Sequence, residues 1–258
     1  MRTSRASQSD PNRELALATR FLPPNPTIAR RKLQSALFPS PYVVETRTLT
    51  VVKTRNHLPW FSFRMKRMID TICSVIGLLA VAPFLATIAV LIKLDSPGPV
   101  FYCAPRAGKK GRIFTCYKFR TMIKNAEGIK TTLRSQNERS GAFFKIAHDP
   151  RITTIGRFLR RYSLDELPQL WNVLLGEMSL VGPRPHPLDD FQFYVEQDLR
   201  RLEVTPGITG LWQVTARKNP SFQLSMMLDL EYIERWSLAM DLRILYKTIF
   251  AVFQGTGA

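Results

Sequence analysis

From Thr71 to Ile92 the chain has no charged residue, over the sequence TICSVIGLLAVAPFLATIAVLI. As an α-helix, a stretch of this length can cross the hydrocarbon core of a bilayer, which is about 30 Å thick. The alternative is a helix buried in a soluble domain, but such helices rarely lack a polar face over about six turns. The stretch therefore predicts a helix that contacts a membrane.

Basic residues flank this stretch on both sides. Residues 1–68 hold 13 Lys and Arg against 3 Asp and Glu, and residues 93–161 hold 16 against 4. From residue 162 onward the balance reverses, to 8 basic and 12 acidic residues. A net charge of +17 requires an anionic partner. Because the charge lies at both ends of an apolar stretch, it favours a lipid membrane, and no nucleic-acid partner is expected.

Pro83 lies near the middle of the uncharged stretch. Proline removes one backbone hydrogen bond and clashes with the carbonyl four residues earlier, so it predicts a break or a kink in the helix. A straight span would leave one basic flank on the wrong side under the positive-inside tendency. A re-entrant helix over residues 63–94, turning near Pro83, keeps both flanks on the cytoplasmic face. A kinked span remains the alternative.

The rest of the chain divides at the two ends of this helix. Residues 1–62 are rich in Arg, Pro, Ser and Thr and predict a basic, disordered N-terminal extension. Residues 95–258 predict one compact domain, which begins where two prolines and a glycine interrupt the helical pattern. Within it, residues 111–122 are expected to form a strand and residues 123–145 to be helical.

Near the C-terminus, residues 222–253 space their apolar and aromatic side chains as amphipathic helices do. The apolar faces either pack on the core or lie in the membrane interface, where Trp236, Tyr246 and Phe250 would be favourable. The sequence does not decide between the two. The fold class predicted is α+β, a compact helix-rich domain with a re-entrant membrane helix and interfacial amphipathic helices.

Asp165 and Glu166 are adjacent carboxylates in the segment Ser163-Leu164-Asp165-Glu166, which has the S-x-x-E form of a helix capping box. Pro168 conflicts with that interpretation, because a helix begun at Ser163 would need its missing amide hydrogen. Either the helix is distorted or it begins near Pro168. In both cases the carboxylates lie near a helix N-terminus, which favours their ionised form. Such groups can attack phosphorus or hold Mg²⁺.

Several basic residues are candidates for binding phosphate or substrate. Arg184 lies in the rigid turn Gly-Pro-Arg-Pro, and its guanidinium matches phosphate oxygens in a bidentate way. Lys118 and Arg120 alternate along the predicted strand and so share one face. A surface loop and a solvated strand face are the plainer alternatives. The predicted set also includes Arg106, Arg160 and Arg217.

Other familiar catalytic patterns are missing from the sequence, which has no P-loop, GxGxxG, GxSxG or HExxH motif. The three cysteines are an odd number without CxxC spacing, so they predict neither a disulfide framework nor a zinc site. The histidines form no recognisable pair and are interpreted as ordinary surface or turn residues: His57, His148 and His186.

Four segments together resemble the monotopic phosphoglycosyl transferases, bacterial sugar transferases that begin glycan assembly on polyprenyl phosphate. The segments are KRMIDTICSVIGLLAVAPF, PGPVFYCAPRAGKKGRIFTCYKFRTM, RRYSLDELPQLWNVLLGEMSLVGPRP and VTPGITGLWQVTAR. The resemblance covers about residues 63–258. Two details depart from the usual family pattern: Ala82-Pro83 replaces Ser-Pro, and the segment ending in Arg217 reads QVTAR where many members have QVxGR.

The resemblance implies a re-entrant helix in the bacterial inner membrane, a cytoplasmic active site and Mg²⁺ as cofactor. It implies transfer of hexose-1-phosphate from a UDP-hexose to undecaprenyl phosphate, the first step of exopolysaccharide or other surface glycan synthesis. Asp165 would be the nucleophile that forms a covalent phosphosugar intermediate and releases UMP. Glu166 would assist as a base or, with Asp165, as a Mg²⁺ ligand. Glucose or galactose is the sugar that the resemblance favours.

Two other functions stay open at this point. A membrane-associated glycosyltransferase would move the sugar without its phosphate and release UDP. A non-enzymatic basic adaptor would bind anionic lipid without any chemistry. A homodimer is compatible with the sequence but is not indicated by any pattern in it.

Overall fold

The computed structural model describes residues 60–130, 132–133, 137, 146, 149–219 and 221–255. Residues 1–59 of the predicted N-terminal extension lie outside the described residues. So do most of residues 131–145, which belong to the segment expected to be helical over 123–145. His57 and His148 also lie outside the described residues.

The described part of the chain is a mixed, helix-rich fold with two small sheets, as the α+β prediction requires. Its helices are α1 (Trp60–Asp95), α2 (Ala126–Lys130), α3 (Thr154–Arg161), α4 (Gln169–Leu175), α5 (Leu211–Thr215), α6 (Phe222–Arg235) and α7 (Leu238–Phe253). Its strands are β1 (Phe101–Ala107), β2 (Ile113–Phe119), β3 (Ser179–Val181) and β4 (Gly207–Thr209). Among its 3₁₀ segments are Leu164–Glu166, Leu188–Phe193 and Glu196–Glu203.

The two sheets have two strands each. Strands β1 and β2 form an antiparallel hairpin in which Tyr102 pairs with Lys118. This confirms the strand predicted within residues 111–122. Strands β3 and β4 are parallel, with Ser179 opposite Gly207. A parallel pair needs a long connection between its strands, and here that connection includes two of the 3₁₀ segments.

Helix α1 continues through Pro83 without interruption. The predicted break is therefore wrong, although a kink is compatible with a continuous helix. The free energy lost with one backbone hydrogen bond is small compared with that of all the hydrogen bonds in a 36-residue helix. Proline in the helix interior therefore does not end it. One turn later, Thr87 donates its hydroxyl hydrogen to the carbonyl of Pro83 at 3.1 Å.

One stripe of α1 is buried against the rest of the protein in two stretches, one before and one after Pro83. The buried side chains recur at helical spacing and are Asp70, Ser74, Ile88 and Ile92. The opposite face exposes large apolar side chains, among them Ile72, Ile76, Leu79, Phe84 and Val90. By length and composition, residues 61–95 could cross a membrane. An apolar face of this extent in contact with water is unfavourable, so α1 is a candidate membrane helix.

Three clusters of buried apolar side chains form the core. The first joins α1 to β2 and α3, the second joins β2 to α4, and the third joins β3 to α6 and α7. Their buried members are Ile88, Ile92, Phe119 and Leu159; Phe114, Cys116, Val173 and Met178; and Val181, Tyr232, Trp236 and Ile244. The hairpin and α4 are thus packed against each other, which brings β2 close to the turn that precedes α4.

Polar contacts attach the N-terminal half of α1 to the domain. Lys66 pairs with Asp241 of α7 at 2.6 Å and donates to the carbonyl of Val181 at 2.9 Å. Asp70 accepts hydrogen bonds from the Ser179 hydroxyl at 2.8 Å and from the Leu180 amide at 3.0 Å. These bonds fix α1 relative to β3, the strand that leads into the Gly-Pro-Arg-Pro turn.

Lys66→Met is expected to lower the free energy of unfolding by about 3 kcal/mol, because it leaves the buried Asp241 carboxylate without its cation. Denaturant unfolding of the detergent-purified protein would measure this. Arg64→Met is the matched control, because Arg64 is an exposed cation of the same helix. Equal stability of the two variants would contradict the importance of the Lys66–Asp241 pair.

Residues 222–253 form two helices, as the apolar spacing predicts, and each begins at a serine that caps it. Ser221 accepts from the amide of Leu224, and Ser237 accepts from the amide of Met240. Of the two alternatives left open for Trp236, the core and the membrane interface, the structure shows the core: Trp236 is buried, and its indole donates to Asp241 at 3.1 Å. The core position is possible because a buried carboxylate can satisfy the indole N–H as well as interfacial water can.

The other two aromatic residues for which the interface was one alternative, Tyr246 and Phe250, are on the outer face of α7. Tyr246 and Phe250 are exposed and lie in contact with each other, their ring centroids 4.8 Å apart. Leu242, Ile249 and Phe253 extend the same exposed apolar surface. Helix α7 therefore has one face in the core and one apolar face outside it.

Candidate active site

Asp165 and Glu166 lie in a tight 3₁₀ turn between α3 and α4. Ser163, which precedes the turn, has a left-handed backbone with φ of 56°, and its side chain does not cap a helix. The capping box is therefore wrong, because a cap residue needs an extended backbone. Helix α4 begins at Gln169 directly after Pro168, which confirms the predicted helix start near that proline.

Glu166 is a buried carboxylate held by two cations. Lys118 donates from Nζ to Oε1 at 2.7 Å. Arg184 donates from Nη2 to Oε1 at 2.5 Å and from Nη1 to Oε2 at 3.2 Å. Burial alone would raise the pKa of Glu166, but the charges and hydrogen bonds of Arg184 and Lys118 lower it well below its usual range. Glu166 is thus ionised and fixed in orientation.

Asp165 is half-buried, and none of the described residues donates a hydrogen bond to its carboxylate. Burial raises its pKa, and so does the neighbouring charge of Glu166, against the lowering effect of Lys118, Arg160 and Arg184. The lowered pKa of Glu166 agrees with the predicted preference for the ionised form, whereas burial and the charge of Glu166 act in the opposite direction on the pKa of Asp165. The dyad contains one carboxylate fixed by cations and one whose oxygens remain available.

Lys118 reaches Glu166 because Asn172 ties β2 to α4. The Asn172 side chain accepts from the Tyr117 amide at 3.0 Å and donates to the Thr115 carbonyl at 2.7 Å. Asn172 is fully buried, so both bonds are shielded from water. No sequence pattern points to Asn172, because an Asn at a helical position carries no local sign of a partner 55 residues away.

Arg184 is placed by a close approach of two backbone segments. The Gly182 amide donates to the backbone carbonyl of Thr209 at 2.9 Å, and the Gly207 amide donates to the carbonyl of Pro183 at 2.9 Å. A side chain at Gly207 would overlap the backbone of Gly182. The Gly-Pro-Arg-Pro turn therefore lies tightly against β4 and directs the Arg184 guanidinium to the dyad.

Arg160 approaches the dyad from α3. Its Nε donates to the Thr121 hydroxyl at 2.8 Å. Burial lowers its pKa, while the charge of Asp165 raises it. A Cβ at Gly156 would overlap the carbonyl of Thr121, so glycine is required for α3 to lie this close to the end of β2. Arg160 is thus a partly buried cation whose charge acts on both carboxylates of the dyad.

The remaining predicted cations have different positions. Arg120 is turned away from the dyad and donates to the carbonyls of Ile92, Ser96 and Pro97, so its guanidinium holds the end of α1. Arg217 donates to the Ser163 hydroxyl at 3.1 Å and thereby contacts the loop that precedes the dyad.

Arg106 lies on β1, and its backbone forms a bridge with Pro187 beside the Gly-Pro-Arg-Pro turn. Burial lowers the pKa of Arg106, and the nearby charge of Arg184 lowers it further, whereas Cys116, Tyr102 and Asp190 raise it. Arg106 and Arg184 are therefore two cations in one neighbourhood, an arrangement that favours an anionic ligand.

His186 is buried, contrary to its interpretation as an ordinary surface or turn residue. It is 4% exposed, and its Nδ1 lies 2.9 Å from the Tyr194 hydroxyl. Burial lowers the pKa of His186 well below its usual value, and the charges of Arg201 and Arg184 lower it further. The ring is therefore neutral at pH 7 and packs behind the turn that carries Arg184.

The dyad offers oxygen ligands of the kind that Mg²⁺ prefers. Within the described part of the chain, no group of three or more His, Cys, Asp or Glu side chains could hold a metal ion. Magnesium is usually bound by one or two carboxylates together with water and substrate phosphates, so a larger protein cage is not required. Asp165 fits this role best, because its oxygens have no protein donor.

Comparison with known proteins gives consistent matches. A family model described as bacterial sugar transferase matches residues 61–255. The galactosyl transferase CpsE of Streptococcus agalactiae is 45% identical over 194 residues, which are 75% of this chain and 43% of that protein. The undecaprenyl-phosphate galactose phosphotransferase of Salmonella typhimurium is 39% identical over 213 residues, or 81% of this chain and 44% of that protein.

A shorter relative matches over most of its own length. The exopolysaccharide production protein ExoY of Rhizobium meliloti is 40% identical over 197 residues, which are 75% of this chain and 87% of ExoY. The chain thus spans less than half of CpsE and of the Salmonella protein but most of ExoY. Because the family model matches most of the chain, including the candidate membrane helix and the dyad, the chain belongs to the bacterial sugar transferase family.

Proposed function

We propose that this protein transfers hexose-1-phosphate from a UDP-hexose to undecaprenyl phosphate and releases UMP, in the first step of exopolysaccharide or other surface glycan synthesis. One observation carries the proposal: a carboxylate without a donor, Asp165, lies beside a carboxylate held by two cations, Glu166. Relatives from Salmonella typhimurium and Komagataeibacter xylinus are named undecaprenyl-phosphate galactose and glucose phosphotransferases, which supports the reaction class.

In the first step, an Asp165 oxygen attacks the phosphorus that carries the sugar. The bond from this phosphorus to the bridging oxygen breaks, and UMP leaves with the bonding electrons. The product on the enzyme is an acyl phosphate that bears the hexose. In the second step, a phosphate oxygen of undecaprenyl phosphate attacks the same phosphorus, and the Asp165 carboxylate is restored.

The cations of the site would stabilise the negative charge that shifts to the leaving phosphate. Lys118 and Arg184 contact Glu166, and the charge of Arg160 acts on both carboxylates, so a phosphate at the dyad would lie near three cations. Mg²⁺, when bound by Asp165, Glu166 and the donor phosphates, would neutralise further charge. In this proposal Arg120 has a structural role, in place of the phosphate-binding role expected from the sequence.

The contacts of α1 support a re-entrant course. Lys66 and Asp70, before Pro83, contact the domain at β3 and α7, and Ile88 and Ile92, after it, contact β2 and α3. A helix that crossed to the far side of a bilayer would carry one of its ends away from a domain on the near side. We therefore place both ends of α1 and the dyad at the cytoplasmic face of the bacterial inner membrane.

The nucleotide product tests the proposed function. Detergent-purified protein is incubated with Mg²⁺ and either UDP-glucose or UDP-galactose, with and without undecaprenyl phosphate. We expect one equivalent of UMP per enzyme without the lipid and continuous UMP release with it, because a covalent intermediate accumulates until the acceptor arrives. UDP as the product would support the glycosyltransferase alternative. Absence of either nucleotide with both donors would contradict the phosphotransferase and favour the lipid-binding adaptor.

A further inference from the structure

A buried ion pair lies directly behind the turn that carries Arg184. Arg201, in the 3₁₀ segment Glu196–Glu203, donates from Nη2 to the Asp229 carboxylate on α6 at 2.5 Å. Both side chains are 4% exposed. The same Nη2 donates to the backbone carbonyl oxygen of Arg184 at 2.8 Å. The ion pair therefore contacts the backbone of a residue whose side chain holds Glu166.

A second contact connects Arg201 to the same turn. Its Nη1 donates to the Tyr194 hydroxyl, and its guanidinium carbon lies 5.6 Å from the centre of the Tyr194 ring. The Tyr194 hydroxyl is also 2.9 Å from Nδ1 of His186. Arg201 thus contacts the turn at Arg184 directly and at His186 through one intermediate side chain.

Stability alone does not account for two charges at this depth. Removing a guanidinium and a carboxylate from water costs free energy that their mutual attraction only partly offsets, and apolar pairs of similar volume are often equally stable. What an apolar pair could not do is donate a hydrogen bond to the carbonyl of Arg184. The hydrogen bond to this carbonyl is thus a contact that Arg201 supplies and that an apolar replacement would lose.

We infer that Arg201, oriented by Asp229, is a positioning residue that holds the backbone of Arg184 so that its guanidinium engages both oxygens of Glu166. Arg184 is then fixed at two points, its carbonyl by Arg201 and its side chain by Glu166. Small displacements of groups that contact reacting atoms can lower rates about 100-fold. The kinetic part of this inference rests on the proposed function.

The main test is the paired replacement Arg201→Met with Asp229→Leu, which removes both charges and leaves neither one buried alone. We expect kcat for UMP release to fall about 10- to 100-fold. The KM for the UDP-sugar and the thermal unfolding midpoint should stay near their native values. A native kcat in this folded variant would overturn the inference.

Arg200→Met with Glu234→Leu is the matched control. Arg200 and Glu234 connect the same 3₁₀ segment to the same helix, at 2.9 Å, but neither contacts Arg184 in the bonds that the structure records. We expect the control to keep a native kcat. An equal loss in both paired variants would show that the contact between the segment and α6 matters only for the fold.

A third combination asks whether Arg201 acts through Arg184. When Arg184→Met is already present, adding Arg201→Met with Asp229→Leu should lower kcat no further, because the guanidinium to be positioned is gone. If Arg201 and Asp229 affected only the fold, their replacement would lower kcat in the Arg184→Met background by the same factor as in the native protein.

Hydrogen–deuterium exchange provides a readout that needs no activity. Amides in residues 179–188 should exchange faster in the Arg201→Met and Asp229→Leu variant than in the native protein or the control, while amides of α1 stay unchanged. Unchanged exchange at the turn would overturn the inference whatever the nucleotide product. If the native protein released no UMP, the proposed function would fail, and the exchange result would still decide the role of Arg201.

Discussion

Asp165→Asn is expected to lower UMP release by at least about 1,000-fold, because it removes the nucleophile of a covalent mechanism. The amide has the same size as the carboxylate but cannot attack phosphorus. In the native protein no described residue donates to Asp165, so the substitution breaks no protein hydrogen bond and should leave the fold intact. Initial rates of UMP release measure the loss. The mass of the intact protein after incubation with donor alone should show one hexose phosphate on native protein and none on the variant.

Asp189→Asn is the matched control, since Asp189 is an exposed carboxylate outside the dyad. It should form the adduct and release UMP at the native rate. An adduct on the Asp165→Asn variant would assign the nucleophile to another residue. Rapid UMP release by native protein without any adduct at any time would favour direct transfer to the lipid.

Arg184→Lys is expected to lower kcat/KM about 100-fold even though the charge is kept. A guanidinium engages both Glu166 oxygens at once, at 2.5 and 3.2 Å, whereas an ammonium group is a single point of contact on a shorter reach. Glu166 would then be less firmly oriented beside Asp165. Steady-state kinetics of UMP release, with the thermal unfolding midpoint measured in parallel, separates the geometric effect from a loss of folded protein.

Arg157→Lys serves as the control for this change, because Arg157 is an exposed arginine of the neighbouring helix α3. Its kinetics should match those of native protein. If Arg184→Lys also retained native kcat/KM, the two-point engagement of Glu166 would have no part in the reaction, and Arg184 would contribute only its charge.

Local patterns were sufficient for features that depend on neighbours in the chain. The start of α4 follows from Pro168, because a proline ring is not compatible with a regular helix that begins several residues before it. The strand within 111–122 and the helices within 222–253 follow from side-chain periodicity. The break at Pro83 did not follow, because the rest of a long helix that packs along one stripe outweighs a single missing hydrogen bond.

Strand alternation predicted the side-chain directions of Lys118 and Arg120 only in part. Lys118 and Arg120 were expected to share one face and one role, yet Lys118 contacts Glu166 and Arg120 holds the end of α1. Strand β2 ends at Phe119, so the alternation no longer governs the direction of Arg120. The sequence could not decide between the core and the interface for Trp236 for a similar reason, since its position depends on Asp241 in the next helix.

The sequence by itself determined the candidate membrane helix, the adjacent carboxylates and the family, because each depends on composition or motif over a continuous stretch. Only the tertiary structure decided which cations meet the dyad and which carboxylate they leave free. Lys118 and Arg184 are 48 and 18 residues from Glu166 along the chain. Their contacts depend on how the hairpin packs on α4 and how the Gly-Pro-Arg-Pro turn packs on β4, and such long-range packing leaves no local pattern in the residues involved.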